Sequence, residues 1–170
     1  MTMSLVDGSI LSYKLEGLYM EIDALLCDYA QVAGGKLFIS GANIDRSFFQ
    51  AGAVAPYMPT FAVAGVVHVP WTETNKEHKL NFNLIDADGA QLKIPTEIDP
   101  SSPAVKGEMI FNLGRPSVLE IGDEQMVPFA FNFPGLPISK LGKFSIKLSI
   151  DGQEKKSLNF SLVVEPGRGF

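Results

Sequence analysis

An all-β fold, an antiparallel immunoglobulin-like β-sandwich of eight or nine strands, is what this chain predicts, and three observations carry the expectation. Apolar and polar residues alternate almost without a break through residues 144–150 and again through residues 158–162. The dipeptide Asp151-Gly152 stands between those runs, and Asp-Gly between two alternating segments is the strongest short-range hairpin signal. Turn-forming residues recur roughly every 8–15 residues elsewhere, with no helical period between them. A partly closed β-barrel is the alternative, because patterning alone does not say whether sheet edges join.

Periodicity begins near Met20, so residues 1–19 read as a loose extension, 20–165 as a single domain and 166–170 as a flexible tail. Residues 21–30 form the first expected strand, and its apolar stretch Ala24-Leu25-Leu26-Cys27 suits a strand covered on both faces. Gly34-Gly35 turns the chain into a second strand over 36–40. An irregular piece containing Pro56 and Pro59 leads to residues 61–69, again apolar on both sides. Leu80, Phe82 and Leu84 alternate with Asn81 and Asn83, after which Asp86-Ala87-Asp88-Gly89 turns into a strand over 91–94. Residues 95–103 read as a loop. Met109, Phe111 and Leu113 make a further inward row, as do Val127, Phe129, Phe131 and Phe133. Residues 119–125 have room for one helical turn, and Pro134-Gly135-Leu136-Pro137 links to the terminal hairpin.

At 170 residues the chain is long enough for one well-buried core, and 46% of it is apolar. Mean hydropathy is +0.14, so apolar surface is expected to be left over for a protein partner or for self-association. Charged residues make up only 19%, with a net charge of −5. That balance argues against nucleic acid, whose phosphates call for a basic stripe, and against a polybasic membrane contact. Cys27 is the only cysteine, which excludes an intramolecular disulfide and disfavours a thiolate zinc site. Neither a signal-peptide pattern nor an apolar run of about 20 residues is present, so a cytoplasmic setting is the expectation.

Two segments look familiar together. Asp28-Tyr29-Ala30-Gln31-Val32, Gly35-Lys36-Leu37 and Gly41-Ala42-Asn43-Ile44-Asp45-Arg46 resemble the opening of a family of short, uncharacterised bacterial proteins common in actinobacteria. Residues 78–89, Gly114-Arg115-Pro116, Phe131-Asn132-Phe133-Pro134-Gly135-Leu136 and residues 142–152 have counterparts as well. Ala42 stands where a second glycine is usual, and Ile44 where a tryptophan is often found. The resemblance implies a small β-sandwich of unassigned function, with no catalytic residue to carry over.

Candidate sites are few. Residues 41–46 form the foremost loop: small residues let the backbone bend or approach another surface, and Asp45 with Arg46 could offer a charge pair to a ligand. The plainer reading gives Gly41 to a bend and Asp45 to nearby backbone amides. His68 and His78 flank Trp71 across a loop expected to close a hairpin, and with Glu73 or Glu77 could hold a metal or move a proton. No third histidine exists to complete a histidine-rich zinc site. Trp71, with Tyr57 in the preceding loop, could stack on a sugar or a peptide, or simply lid the sandwich.

Asp86-Ala87-Asp88-Gly89 lacks the later acidic positions of a calcium loop and reads as a turn. No cofactor-binding motif is present: Gly34-Gly35-Lys36 precedes a strand, not a helix, and Gly-x-Ser-x-Gly is absent. Residues 61–67, if they lie on an open edge, invite strand addition from another chain; the plainer reading is an interior strand covered by neighbours and by loops.

The expected function is therefore non-enzymatic binding or assembly, through loops 41–46 and 70–75 at one end of the sandwich and an apolar edge strand. The binding residues would be Asp45, Arg46, Tyr57, Trp71 and His68, with no catalytic or metal-ligating set. A carbohydrate- or peptide-binding module is the alternative, and a small hydrolase using His68 or His78 a more distant one.

Overall fold

A computed structural model describes residues 19–93 and 104–165. Among these residues there are nine strands: β1 (Glu21–Ala33), β2 (Lys36–Ala42), β3 (Arg46–Phe49), β4 (Phe61–Pro70), β5 (Glu77–Asp86), β6 (Lys106–Asn112), β7 (Glu124–Phe133), β8 (Gly142–Ile150) and β9 (Gln153–Val164). They form a four-stranded sheet in the order β2-β1-β4-β7 and a five-stranded sheet in the order β3-β9-β8-β5-β6. Every neighbouring pair is antiparallel except β3 and β9, which run parallel. Two of the expected hairpins are present, β1–β2 and β8–β9. Gly34-Gly35 and Asp151-Gly152 all take positive φ, between 50° and 83°, as a two-residue primed turn requires.

The alternating rows bury as their period dictates. Leu80, Phe82 and Leu84 of β5, Phe144, Ile146 and Leu148 of β8, and Leu158, Phe160 and Leu162 of β9 are buried. Phe61, Val63, Val67 and Val69 of β4 and Phe129 of β7 meet them from the other sheet. Aromatic rings tie the layers: Phe61 lies 5.1 Å from Phe160, and Phe82 lies 4.9 Å from Phe131 and 5.3 Å from Phe133.

The four-stranded sheet curls into a half-barrel, so part of the barrel alternative is realised inside a two-sheet fold. β1 changes neighbours at Cys27. Up to that residue it pairs with β4, and from it onward with β2. Beyond the start of β4, the Asn132 side chain of β7 takes the place of a strand: its Oδ1 accepts from Ala30 N–H (3.1 Å) and its Nδ2 donates to Ala30 C=O (2.8 Å). The curl needs small side chains on its concave side. Cys27, Ala30, Ala62 and Ala64 supply them, fully buried, with Leu25, Leu37 and Ala130 packed alongside.

Several expectations are corrected. Residues 61–67 are not an edge; β4 lies between β1 and β7 and is paired along both sides. Loop 70–76 does not close a hairpin, because β4 and β5 belong to different sheets and a 3-10 turn (Trp71–Glu73) carries the chain across. Residues 119–125 hold no helical turn. Residues 91–93 make only isolated bridges, from Gln91 to Ile85 and from Lys93 to Ala104. The expected extension up to residue 18, the expected loop from 95 to 103 and the tail from 166 lie outside the described residues.

Candidate functional site

The five residues singled out by sequence do not converge. Ile44 N–H donates to Leu26 C=O and Ser161 N–H to Asp45 C=O, which sets Asp45 and Arg46 beside the Phe61 end of β4. Tyr57 lies at that end too, bridged to Ile138 by two backbone hydrogen bonds of 2.8 Å, its ring 5.0 Å from Phe49. Trp71 follows Pro70 at the other end of β4. Ten residues of strand separate the ends, roughly 30 Å at 3.3 Å per residue. Loops 41–46 and 70–75 therefore occupy opposite ends of the molecule, and Tyr57 and Trp71 cannot share one ligand as a stacking platform.

Each residue is also largely occupied. Arg46 donates to the Asp45 carboxylate at 2.8 Å, and that bond, with a smaller one from the Asp45 backbone N–H, holds its carboxyl below the ordinary range. Gly41 bears out the bend reading, with φ +63° and the Asp28 carboxylate where a Cβ would lie. Arg115 covers Trp71, its guanidinium 3.6 Å from the ring centroid, and donates to Thr74 Oγ1 (2.8 Å) and Trp71 C=O (3.0 Å). One face of the indole is thus already stacked on a cation.

The two histidines sit in separate environments. His78 faces inward on β5 and is buried. Its Nδ1 lies 2.8 Å from Asp151 Oδ2 and its Nε2 2.8 Å from Glu73 C=O. Both partners are acceptors, an arrangement that favours the protonated ring with both nitrogens donating. Burial pulls its pKa down, but the Asp151 carboxylate and the Glu73 carbonyl outweigh burial and hold it above the ordinary value. Burial likewise lifts Asp151, yet the bonds from His78 and from Lys79 N–H bring it below the usual carboxylate range.

His68 lies on the outer face of the four-stranded sheet, 3.0 Å from Glu124 and 3.1 Å from Asp23. The Glu124 carboxylate raises its pKa against burial, and Asp23 adds to the rise. Both nitrogens of each ring are thus engaged by oxygen acceptors. Among the described residues, no three His, Cys, Asp or Glu side chains gather to hold a metal ion. No helix there is long and apolar enough to cross a membrane. Cys27 is buried, and desolvation with the neighbouring Asp28 pushes its thiol pKa up.

What the site search by residue type passed over is the β1–β2 hairpin. Beyond Cys27 it curls over β4 toward β7, with Leu37 packed by Ala62, Ala64 and Ala130, and it leaves Tyr29 (53% exposed), Val32 (43%), Phe38 (51%) and Ile39 (40%) in solvent. Among the described residues β2 has one neighbour, β1, and no strand pairs with its far edge. The signal was present in Leu37-Phe38-Ile39, three apolar residues in a row that show apolar groups on both faces of a strand ended by a glycine turn.

The fold and these surfaces define a small two-sheet β-protein. A family model agrees over nearly the whole described domain: residues 22–163 match the family of unknown function DUF6941, and the chain belongs to it. No curated protein matches the chain.

Proposed function

We propose that this protein is a non-enzymatic association module, an immunoglobulin-like sandwich that docks another polypeptide along β2. The observation that carries the reading is the unguarded edge. β2 contains no proline, its single charged side chain is Lys36 at its first position, and large apolar groups flank its open backbone. Proteins ordinarily block such an edge with charge, proline or cover. An extended segment adding to β2 would gain main-chain hydrogen bonds from the edge and side-chain contacts from Phe38 and Ile39. The commitment of both histidines to carboxylates and a carbonyl supports the absence of catalysis. The resemblance in the sequence supports a bacterial setting.

The test is site-specific photo-crosslinking in living cells. A photoreactive phenylalanine analogue at Phe38 should give protein adducts of discrete mass, while the same analogue at Ser157, on exposed β9, gives none. Identical adducts at both positions, or none at Phe38, would overturn the reading.

A further inference from the structure

The curl of the four-stranded sheet leaves a cleft of about 300 Å³ on its outer side. Its walls are apolar: Leu25 from β1, Leu37 and Ile39 from β2, and Ala64 and Val66 from β4. Lys156, from the other sheet, closes one rim. That lysine breaks a pattern. It pairs with the fully buried Leu148, on the face of β9 that carries Leu158 and Phe160, where the period calls for an apolar residue. Only its place beside β1, at the seam between the sheets, lets a charged head reach solvent while its stem is covered.

Lys156 makes no ion pair among the described residues. The other charged group on the rim, Asp23, is engaged by His68 at 3.1 Å. An apolar trough with one uncompensated cation at its mouth has the complementarity of an alkyl chain bearing an anionic head. Volume sets the length. A dry cavity of ~150 Å³ accepts benzene, so twice that volume suits roughly ten to twelve heavy atoms.

We propose that the cleft binds a single-chain alkyl carboxylate of about ten carbons, its tail along Leu25, Ile39 and Val66 and its carboxylate on Lys156. The cleft shares Ile39 with β2, but its charged rim is Lys156 of the other sheet and Phe38 is not among its walls, so Lys156→Gln tests the cleft without touching the β2 edge.

The full-length ¹⁵N-labelled protein, titrated with decanoate, decanol or decyltrimethylammonium below their micellar concentrations, tests it. Decanoate should shift the Leu25, Ile39 and Val66 amides saturably. Decanol should need about ten times more ligand, the equivalent of one charge-assisted hydrogen bond. Lys156→Gln should weaken decanoate about tenfold and leave decanol unchanged; Ile39→Asp should abolish both while the remaining spectrum reports an intact fold. Absent saturation, equal affinity for all three probes, shifts at Tyr29 and Phe38 instead of the cleft, or contacts from residues 1–18 to Val66 in the ligand-free protein would each overturn the proposal. Adducts at Phe38 do not depend on any of these outcomes.

Discussion

Asp151 carries two duties in one turn, and separating them gives the most exacting prediction. It occupies the first position of the β8–β9 turn at φ +50°. Its Oδ1 accepts from Lys79 N–H at 2.9 Å and its Oδ2 from buried His78 at 2.8 Å. Asp151→Ala removes both acceptors and sets a Cβ-bearing residue without local hydrogen bonding in the left-handed region, which costs about 1–2 kcal/mol. Loss of the charged hydrogen bond adds about 1.5–3 kcal/mol, the more so because His78 stays buried. A total near 3–4 kcal/mol lowers the melting temperature by roughly 10 °C for a chain of this size.

Asp151→Asn keeps the backbone preference and the Lys79 bond and loses only the charge, so about 1.5–2 kcal/mol is expected. The pH profile then identifies the partner. His78 has a raised pKa in the fold, so its contribution is complete below about pH 6.5 and is lost as pH rises through the folded value. Asp151 has a lowered one, so its contribution is complete above about pH 3.9 and is lost as pH falls through the folded value. Urea denaturation of wild type and Asp151→Asn should therefore show the widest gap between about pH 4 and 6.5, narrowing on the alkaline side. His68 titrates in the same sense but is present in both proteins and cancels. A gap that stays constant to pH 9, or an Asp151→Ala cost under about 1 kcal/mol, would refute the reasoning.

Two further outcomes follow from the loops. Gly41→Ala should destabilise by about 2–4 kcal/mol, because φ is +63° and the new Cβ collides with the Asp28 carboxylate; adding Asp28→Ala should restore the steric part and leave about 1–2 kcal/mol, read by chemical denaturation as a double-mutant cycle. Arg115→Ala should cost about 1–2 kcal/mol and shift Trp71 emission to the red, since the guanidinium that covers the indole also bonds Thr74 and Trp71 C=O. Unchanged emission would mean that the ring is not covered in solution.

Strand existence was legible wherever one face is buried. The rows Leu80-Phe82-Leu84 and Phe144-Ile146-Leu148 state their inner side directly, and Asp151-Gly152 states its turn. Strand neighbours were not legible, because period two says which face is wet but not which strand lies alongside. Residues 61–67 illustrate the ambiguity: apolar on both faces, they fit an open edge or a strand covered on the inside by the core and on the outside by the curl, and Cys27, Ala30 and Ala64 make the second arrangement possible.

β3 escaped notice for a related reason. Four residues pairing in parallel with β9 leave no hairpin signal, and Phe48 is exposed while Phe49 is packed. The histidines were visible as residues, but their partners were not. Asp151 lies 73 residues from His78 in sequence and Glu124 lies 56 from His68.

The open edges of the two sheets are managed unequally, and the inequality is where the functional argument rests. β7 carries Pro128, which has no N–H to offer, and its end is occupied by the Asn132 clamp on Ala30. β6 presents Lys106 and Glu108, with Glu108 paired to Lys79 at 3.1 Å. β3 is four residues long, too short to template another chain. Among the described residues β2 has none of these protections along its middle, although β3, β6 and β7 use brevity, charge and proline. Chance neglect of one edge would leave it soluble only if its side chains were polar, and Phe38 and Ile39 are not. An apolar strand without the protections that β3, β6 and β7 carry is the arrangement that supports the proposed docking of another polypeptide on β2.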